Sequence, residues 1–176
     1  MAPDVPLGSM LRPTLLCAAL AALLLTGCAT GRKLPTYEKP LARTPVQSVR
    51  TTAYTHTESD HIKHGRKTAA GTNLRRGEVN SAAADWSRWP LGTKFRLAET
   101  GEIFEVDDYG WALSGTNTID IYQPSRAQMN RWGVRRVTIE IIEWGDPQRS
   151  YEILKPRTRF AHVKRMVRQL EDRYAL

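Results

Sequence analysis

From Val46 to Trp144 the chain reads as a run of short alternating segments parted by glycine-bearing turns, and that rhythm limits what it can fold into. Strict alternation of apolar and polar side chains has the period of a strand with one buried face. VQSVRTTAYTH opens the run with β-branched and aromatic residues, and short strands follow around Ala82–Asp85, Lys94–Leu97, Ile103–Val106 and Thr118–Tyr122. Glu99-Thr100-Gly101 forms the turn between the second and third of these four. VRRVTIEIIEW, residues 134–144, alternates most cleanly. Ahead of it, PSRAQMNRWG (124–133) predicts a short helix with Ser125 as its N-cap and Gly133 just past its end. The final stretch, RTRFAHVKRMVRQLEDRYAL, places Phe160, Val163, Met166, Val167 and Leu170 on one helical face, with Thr158 as the expected cap. Many short strands with one small helix point to a compact, mainly β barrel followed by a C-terminal α-helix.

The chain before Val46 has a different character. Arg12 precedes an apolar run, LLCAALAALLL (15–25), that is short for a bilayer span and fits the h-region of a signal peptide. It closes on Leu25-Thr26-Gly27-Cys28, which resembles the lipobox of bacterial lipoproteins; an ordinary secretory signal with an incidental Cys28 is the alternative. Acyl chains on Cys28 would hold a folded domain on a membrane. Residues 29–46 are rich in Pro, Thr and basic residues without apolar periodicity, which reads as a flexible tether. The expected divisions are thus a lipoprotein signal at 1–27, a tether at 28–46, a β domain at 47–146 and a helical extension at 147–176. The chain carries 2 Cys, and with Cys17 in the signal and Cys28 acylated, no thiol remains for a disulfide, a metal or a nucleophile. The formal net charge of +8 favours an anionic partner. Export argues against nucleic acid and for a membrane surface or an acidic wall polymer.

Within the β region, FEVDDYGWALSGTNTIDIY (104–122) sets Asp107 and Asp108 at the end of one strand and Asp120 inside the next, between Ile119 and Ile121. Aspartate fits poorly on a half-buried pleated surface, so Asp120 calls for a reason. Five stretches taken in order supply one: TAYT (52–55), AAGTNLRRGEVNSAAADWSRWPLGT (69–93), DYGWALSG (108–115), IDIY (119–122) and AQMNRWGVRRVTIEII (127–142). Together they resemble the 3D (three-aspartate) family, which includes the barrel of membrane-bound lytic transglycosylase A. The resemblance implies a six-stranded double-psi β-barrel and peptidoglycan glycan strands as the partner. It also implies Asp85, Asp108 and Asp120 as the three aspartates. Asp120 takes the family's acid/base role, Asp108 lines the groove in support, and Asp85 has the more structural place. Asp85, Tyr109, Trp111 and Ser114 are the expected substrate-side residues. Trp111 stands where the family usually has Gly, and Ser114 where it often has Lys.

By this resemblance the reaction is the non-hydrolytic cleavage of the MurNAc–GlcNAc bond. One carboxyl protonates the leaving oxygen and then accepts the C6 hydroxyl proton as a 1,6-anhydro ring closes. Such a group works best with its pKa raised toward the working pH, and a second acid nearby acts in that sense. The alternatives are a peptidoglycan-binding module without turnover, and a hydrolase using Asp108 and Asp120 as a pair. No cofactor and no metal is implied. HTESDHIKHG (56–65) gathers His56, His61 and His64 with Glu58 and Asp60, yet matches no zinc spacing and reads as a polar loop. Trp132 and Trp144 are expected in the core. The expected state is a monomer at the periplasmic face of a membrane; Ala29 after Cys28 favours the outer one.

Overall fold

The computed structural model describes residues 32–59 and 61–176. The expected signal, Cys28 and the start of the tether lie outside the described residues, as does Asp60. Among the described residues no helix is long and apolar enough to cross a membrane.

Six strands form one sheet: β1 (Val46–Tyr54), β2 (Val79–Ala83), β3 (Lys94–Leu97), β4 (Ile103–Asp108), β5 (Thr118–Tyr122) and β6 (Arg135–Glu143). Hydrogen-bonded neighbours run β1-β5-β2-β4-β3-β6, and β6 pairs with β1, so the chain of pairings returns to its start. The β1/β5 and β2/β4 pairs are parallel and the other four antiparallel. β1 carries the alternation its sequence implies: Gln47, Val49 and Thr51 are buried, while Val46, Ser48 and Arg50 are exposed. Two strand limits differ from the expectation. β2 starts at Val79 and stops at Ala83, short of Asp85, because the polar Asn80 and Ser81 mask its first half. β4 continues through both aspartates to Asp108.

Val49, Ala82, Val106, Ile119, Ile121 and Ile139 line the core face of the sheet. Phe95 stacks on Phe104 with ring centroids 5.6 Å apart. The fully buried tryptophans are Trp86 and Trp89; Trp132 and Trp144, expected in the core, are half-buried at its margin. Each buried indole N–H has an acceptor, as burial requires: the Asp108 carbonyl for Trp86 (2.8 Å) and Gln47 Oε1 for Trp89 (3.0 Å).

α1 (Arg126–Trp132) begins at Ser125, whose side chain accepts the Gln128 N–H, and ends at Gly133 with φ 63°. The extension holds α2 (Pro147–Leu154), a 3-10 turn at Lys155–Arg157 and α3 (Ala161–Tyr174). Asp146 caps α2 through the Arg149 N–H, with Pro147 at the first helical position. Val163, Met166, Val167 and Leu170 of α3 are buried in the main core. Phe160 does not share that face: it is the N-cap residue and is 46% exposed. Thr158 lies before the helix and donates to the Lys155 carbonyl of the preceding turn.

The tether is bound from Pro35 onward. The Glu38 N–H donates to the Gly115 carbonyl (2.8 Å), Asn117 donates to the Lys39 carbonyl (2.9 Å), and Arg165 donates to the Pro35 carbonyl (2.9 Å). Composition reads as flexible there because the partners are remote in sequence.

Asp85 ties the β2–β3 connection to the turn before β5. Its Oδ1 accepts the Ser87 N–H (2.8 Å) and hydroxyl (2.6 Å), and Oδ2 accepts the Gly115 N–H (2.5 Å). The Arg88 guanidinium lies 3.9 Å from Oδ2, with both side chains buried. Removing one member of a buried charge pair strands the other. Asp85→Asn is therefore expected to lower the unfolding free energy by about 3 kcal/mol, read from urea denaturation; a loss under about 1 kcal/mol would show that the carboxylate charge is not what holds this junction.

Candidate functional site

Strand register places four side chains in one row. Thr52 of β1 pairs with Asp120 of β5, Asp120 with Ala83 of β2, and Ala83 with Asp108 of β4. Residues directly opposite one another share a face of the sheet. Ile119 and Ile121 are fully buried in the core, so Asp120 between them points to the opposite face. This is what an aspartate does inside this strand. Asp108 reaches the same row because the β2/β4 register shifts between Ala82 and Ala83, leaving Asp107 as the extra residue. Two strand spacings separate the Asp108 and Asp120 backbones, about 10 Å.

The two carboxylates are held differently. Asp120 is half-buried, and its Oδ1 accepts the Thr52 hydroxyl at 2.8 Å. Asp108 is 6% exposed. Its Oδ1 accepts the Ala69 and Tyr109 N–H groups, each at 2.9 Å, and its Oδ2 accepts the Tyr54 hydroxyl at 3.4 Å. Burial pushes the Asp108 carboxyl up to about 6, against those three hydrogen bonds and the nearby Arg157 charge. Asp107 is likewise pushed up to about 6 by burial, opposed by the Ser81 hydroxyl at 2.7 Å and Arg75 at 3.0 Å. The Tyr54 hydroxyl is raised by burial first, then by the charges of Asp108, Asp107 and Asp120.

Tyr54, Leu74, Ala83, Leu113 and Tyr122 form a second apolar cluster on this side of the sheet. The histidine loop covers part of it. His56 Nδ1 lies 3.0 Å from the Tyr122 hydroxyl, and the His61 ring packs 5.6 Å from that of Tyr54. Among the described residues no group of three His, Cys, Asp or Glu side chains is placed to hold a metal ion.

Of the expected substrate-side residues, Trp111 is half-buried on a short 3-10 turn, Trp111–Leu113, whose Leu113 belongs to the second cluster. Tyr109 is half-buried, edge-on to Trp86 at 5.1 Å, and its hydroxyl accepts Arg157 at 3.4 Å. Ser114 and Asp85 are fully buried; Ser114 Oγ donates to the His162 carbonyl at 3.0 Å. Neither presents a surface to a ligand, and their bonds hold the turn that carries Trp111. A shallow depression lies away from this row, among Leu41, Arg43, Gln47, Trp89 and Trp144.

Sequence reasoning passed over Thr52, Tyr54 and Arg157 as site residues. The alternation of β1 puts Thr52 and Tyr54 on one face, but their meeting with Asp120 and Asp108 depends on register. Arg157 comes from the extension, donates to the Ala69 carbonyl at 3.0 Å, and steadies the loop whose N–H binds Asp108.

No family model matches the chain. Over 98 residues it is 35% identical to the putative cell wall shaping protein YabE of Bacillus subtilis (strain 168), covering 55% of this chain and 23% of that protein. Over 76 residues it is 33% identical to the cell wall-binding protein YocH of the same organism, covering 43% of this chain and 26% of that protein. The chain thus spans about a quarter of the length of these curated relatives.

The raised Asp108 pKa has a thermodynamic consequence. Between about 4 and 6 the native carboxyl keeps a proton that the unfolded chain has released, so stability falls as pH rises through this window. Wild type should lose up to about 3 kcal/mol relative to Asp108→Asn between pH 4 and 7. Urea unfolding of the two proteins across that range measures it; a difference independent of pH would contradict the shift.

Proposed function

We propose that this protein is a peptidoglycan-cleaving enzyme of the lytic-transglycosylase kind, acting on the MurNAc–GlcNAc bond with Asp120 as its acid/base. The observation that carries the reading is the contrast between the two carboxylates. Asp108 is buried with both oxygens engaged, whereas Asp120 is accessible and oriented by one hydroxyl. A partly exposed carboxyl oriented by a hydroxyl suits a reaction in which a single group serves twice. Asp120 protonates the glycosidic oxygen as the C1–O4 bond breaks. It then takes the C6 hydroxyl proton as the C1–O6 bond forms. Water is not consumed, and Asp120 ends in the state in which it began. Thr52 orients the acid, and Trp111 offers a ring to a neighbouring sugar. Asp108 stiffens the floor by tying the loops at Ala69 and Tyr109. A two-carboxylate hydrolase draws less support, because its second carboxylate must be free for water or for the sugar.

Two further parts of the reading rest on the fold and the relatives. Two parallel pairs within a ring of antiparallel contacts support a double-psi β-barrel. Relatives described as cell wall shaping and cell wall-binding support an anionic wall polymer as partner and a place outside the cytoplasm. Acylation at Cys28 would set a monomer on the outer-membrane surface facing that polymer. The description of YocH favours a second reading, a binding module without turnover on the same face.

Incubating the protein with purified sacculi and analysing the products by mass spectrometry separates these readings. Anhydro-muropeptides are expected from wild type, with rates lowered about 10²–10⁴-fold in Asp120→Asn and by a smaller factor in Thr52→Val. Reducing MurNAc ends would mean a hydrolase, and binding without any product would mean the module.

A further inference from the structure

The face that carries Asp120 also carries a pair of arginines where a sheet ordinarily avoids them. Arg50 of β1 lies directly opposite Arg136 of β6, and both are exposed. Like charges directly opposite on neighbouring strands destabilise the pair. Opposite charges relieve this elsewhere in the sheet: Lys94 meets Glu143 at 2.7 Å and Arg96 meets Glu140 at 3.3 Å. Among the described residues no carboxylate lies within salt-bridge distance of Arg50 or Arg136. Arg50 makes one long hydrogen bond, to Thr118 Oγ1 at 3.3 Å. Glu99 accepts the Thr138 N–H at 3.0 Å and makes no salt bridge to either arginine.

The location gives the pair a meaning. Arg50 and Thr52 are two residues apart on one strand and project from the same face, so the pair sits about 7 Å along β1 from the Thr52–Asp120 contact. Thr118, Arg50's neighbour on β5, precedes Asp120 by the same step. A chain of sugars crossing Asp120 in the direction of β1 passes over the two guanidiniums. Arginine binds carboxylates through paired N–H donors, and two exposed arginines in register, one of them reaching toward β5 at Thr118, without a salt-bridged carboxylate are poised for an external anion.

We propose that Arg50 and Arg136 form an anion subsite contiguous with Asp120, receiving a carboxylate of the peptidoglycan strand. This rests on the reading of the face as a glycan-binding one. Two sources share the chemistry: the free lactyl carboxylate of glycan stripped of its peptides, and the free carboxylates of intact stem peptides. An engaged anion would also explain why the cross-strand repulsion is tolerated.

The test is equilibrium binding to insoluble sacculi in the Asp120→Asn background, so that turnover does not enter. The variant Arg50→Gln/Arg136→Gln is set beside Lys164→Gln/Arg168→Gln, which removes the same charge from the exposed face of α3. The first should weaken binding tenfold or more and the second less than about twofold, since a charge-assisted contact is lost only in the first. Thermal unfolding supplies a second readout. Relief of repulsion should leave the Arg50/Arg136 variant's midpoint unchanged or raise it by about 1–2 °C, whereas a merely structural pair would lower it. Sacculi with carboxyls capped as amides should abolish the difference between the Asp120→Asn protein and its Arg50/Arg136 variant. On amidase-stripped glycan, whose lactyl carboxyls are released from the amide bond they make in intact sacculi, the difference should vanish if the stem peptide is the ligand and grow if the lactyl group is. Equal loss in the two double variants on both intact sacculi and stripped glycan, or a difference that survives amidation, overturns the subsite while leaving the glycan-binding reading intact. Failure of the Asp120→Asn protein to bind any sacculus overturns both.

Discussion

The candidate site depends on one irregularity, the register shift of β4 against β2 at Ala82/Ala83. Val106 faces the core. In a regular strand Asp107 would then point outward and Asp108 inward, among Phe104, Ile121 and Trp86. An unpaired carboxylate there is among the costliest things a small core can hold. The bulge spends Asp107 as the extra residue and returns Asp108 to the outer face, level with Ala83 and hence with Asp120. It also explains why two consecutive acids both find polar partners on one side: Ser81 and Arg75 for Asp107, backbone N–H groups and Tyr54 for Asp108. Bulges turn side chains and end pairings, and here one does both.

The result is a graded set of acids on one surface. Asp107 and Asp108 sit in buried niches that raise their pKa to about 6, and Tyr54 lies within the field of all three carboxylates. Asp120 has the access that the others lack. Burial thus separates the roles: Asp108, nearly inaccessible and held by several fixed donors, is a strut, while Asp120 is the carboxylate of the row with a solvent-facing side.

Much of this fold could be read in the sequence, for definite reasons. β1, β3, β5 and β6 announce themselves by alternation because one of their faces is buried. α1 is bounded by Ser125 and Gly133, whose side-chain oxygen and positive φ are local requirements. The start of β2 was hidden because Asn80 and Ser81 are polar yet buried, held by partners on other strands. α2 had its cap and proline in view at Asp146-Pro147, but too few turns for its periodicity to stand out. The docking of residues 35–44 left no local trace. At the site, the position of Asp120 between two core isoleucines was legible. Its pairing with Thr52, the strut role of Asp108 and the reach of Arg157 were not, since each depends on register or on a helix packed from far along the chain.

The extension bears on the departures from the 3D pattern. Ser114 occupies a position where that family often has Lys, and a lysine there would have to share its space with α3. Instead, Ser114 is fully buried and donates to the His162 carbonyl, while Arg165 donates to the carbonyl of Ser114 itself. The small side chain lets the helix dock on the turn that carries Trp111. The extension brings a cation of its own: Arg157 reaches the Ala69 carbonyl and the Tyr109 hydroxyl, next to Asp108. Positive charge therefore stands beside the buried aspartate by way of the turn between α2 and α3. Ser114 and the C-terminal extension are packed as one unit. It leaves Asp120 itself untouched, because Thr52, Ala83 and the strand register that hold it lie wholly within the sheet.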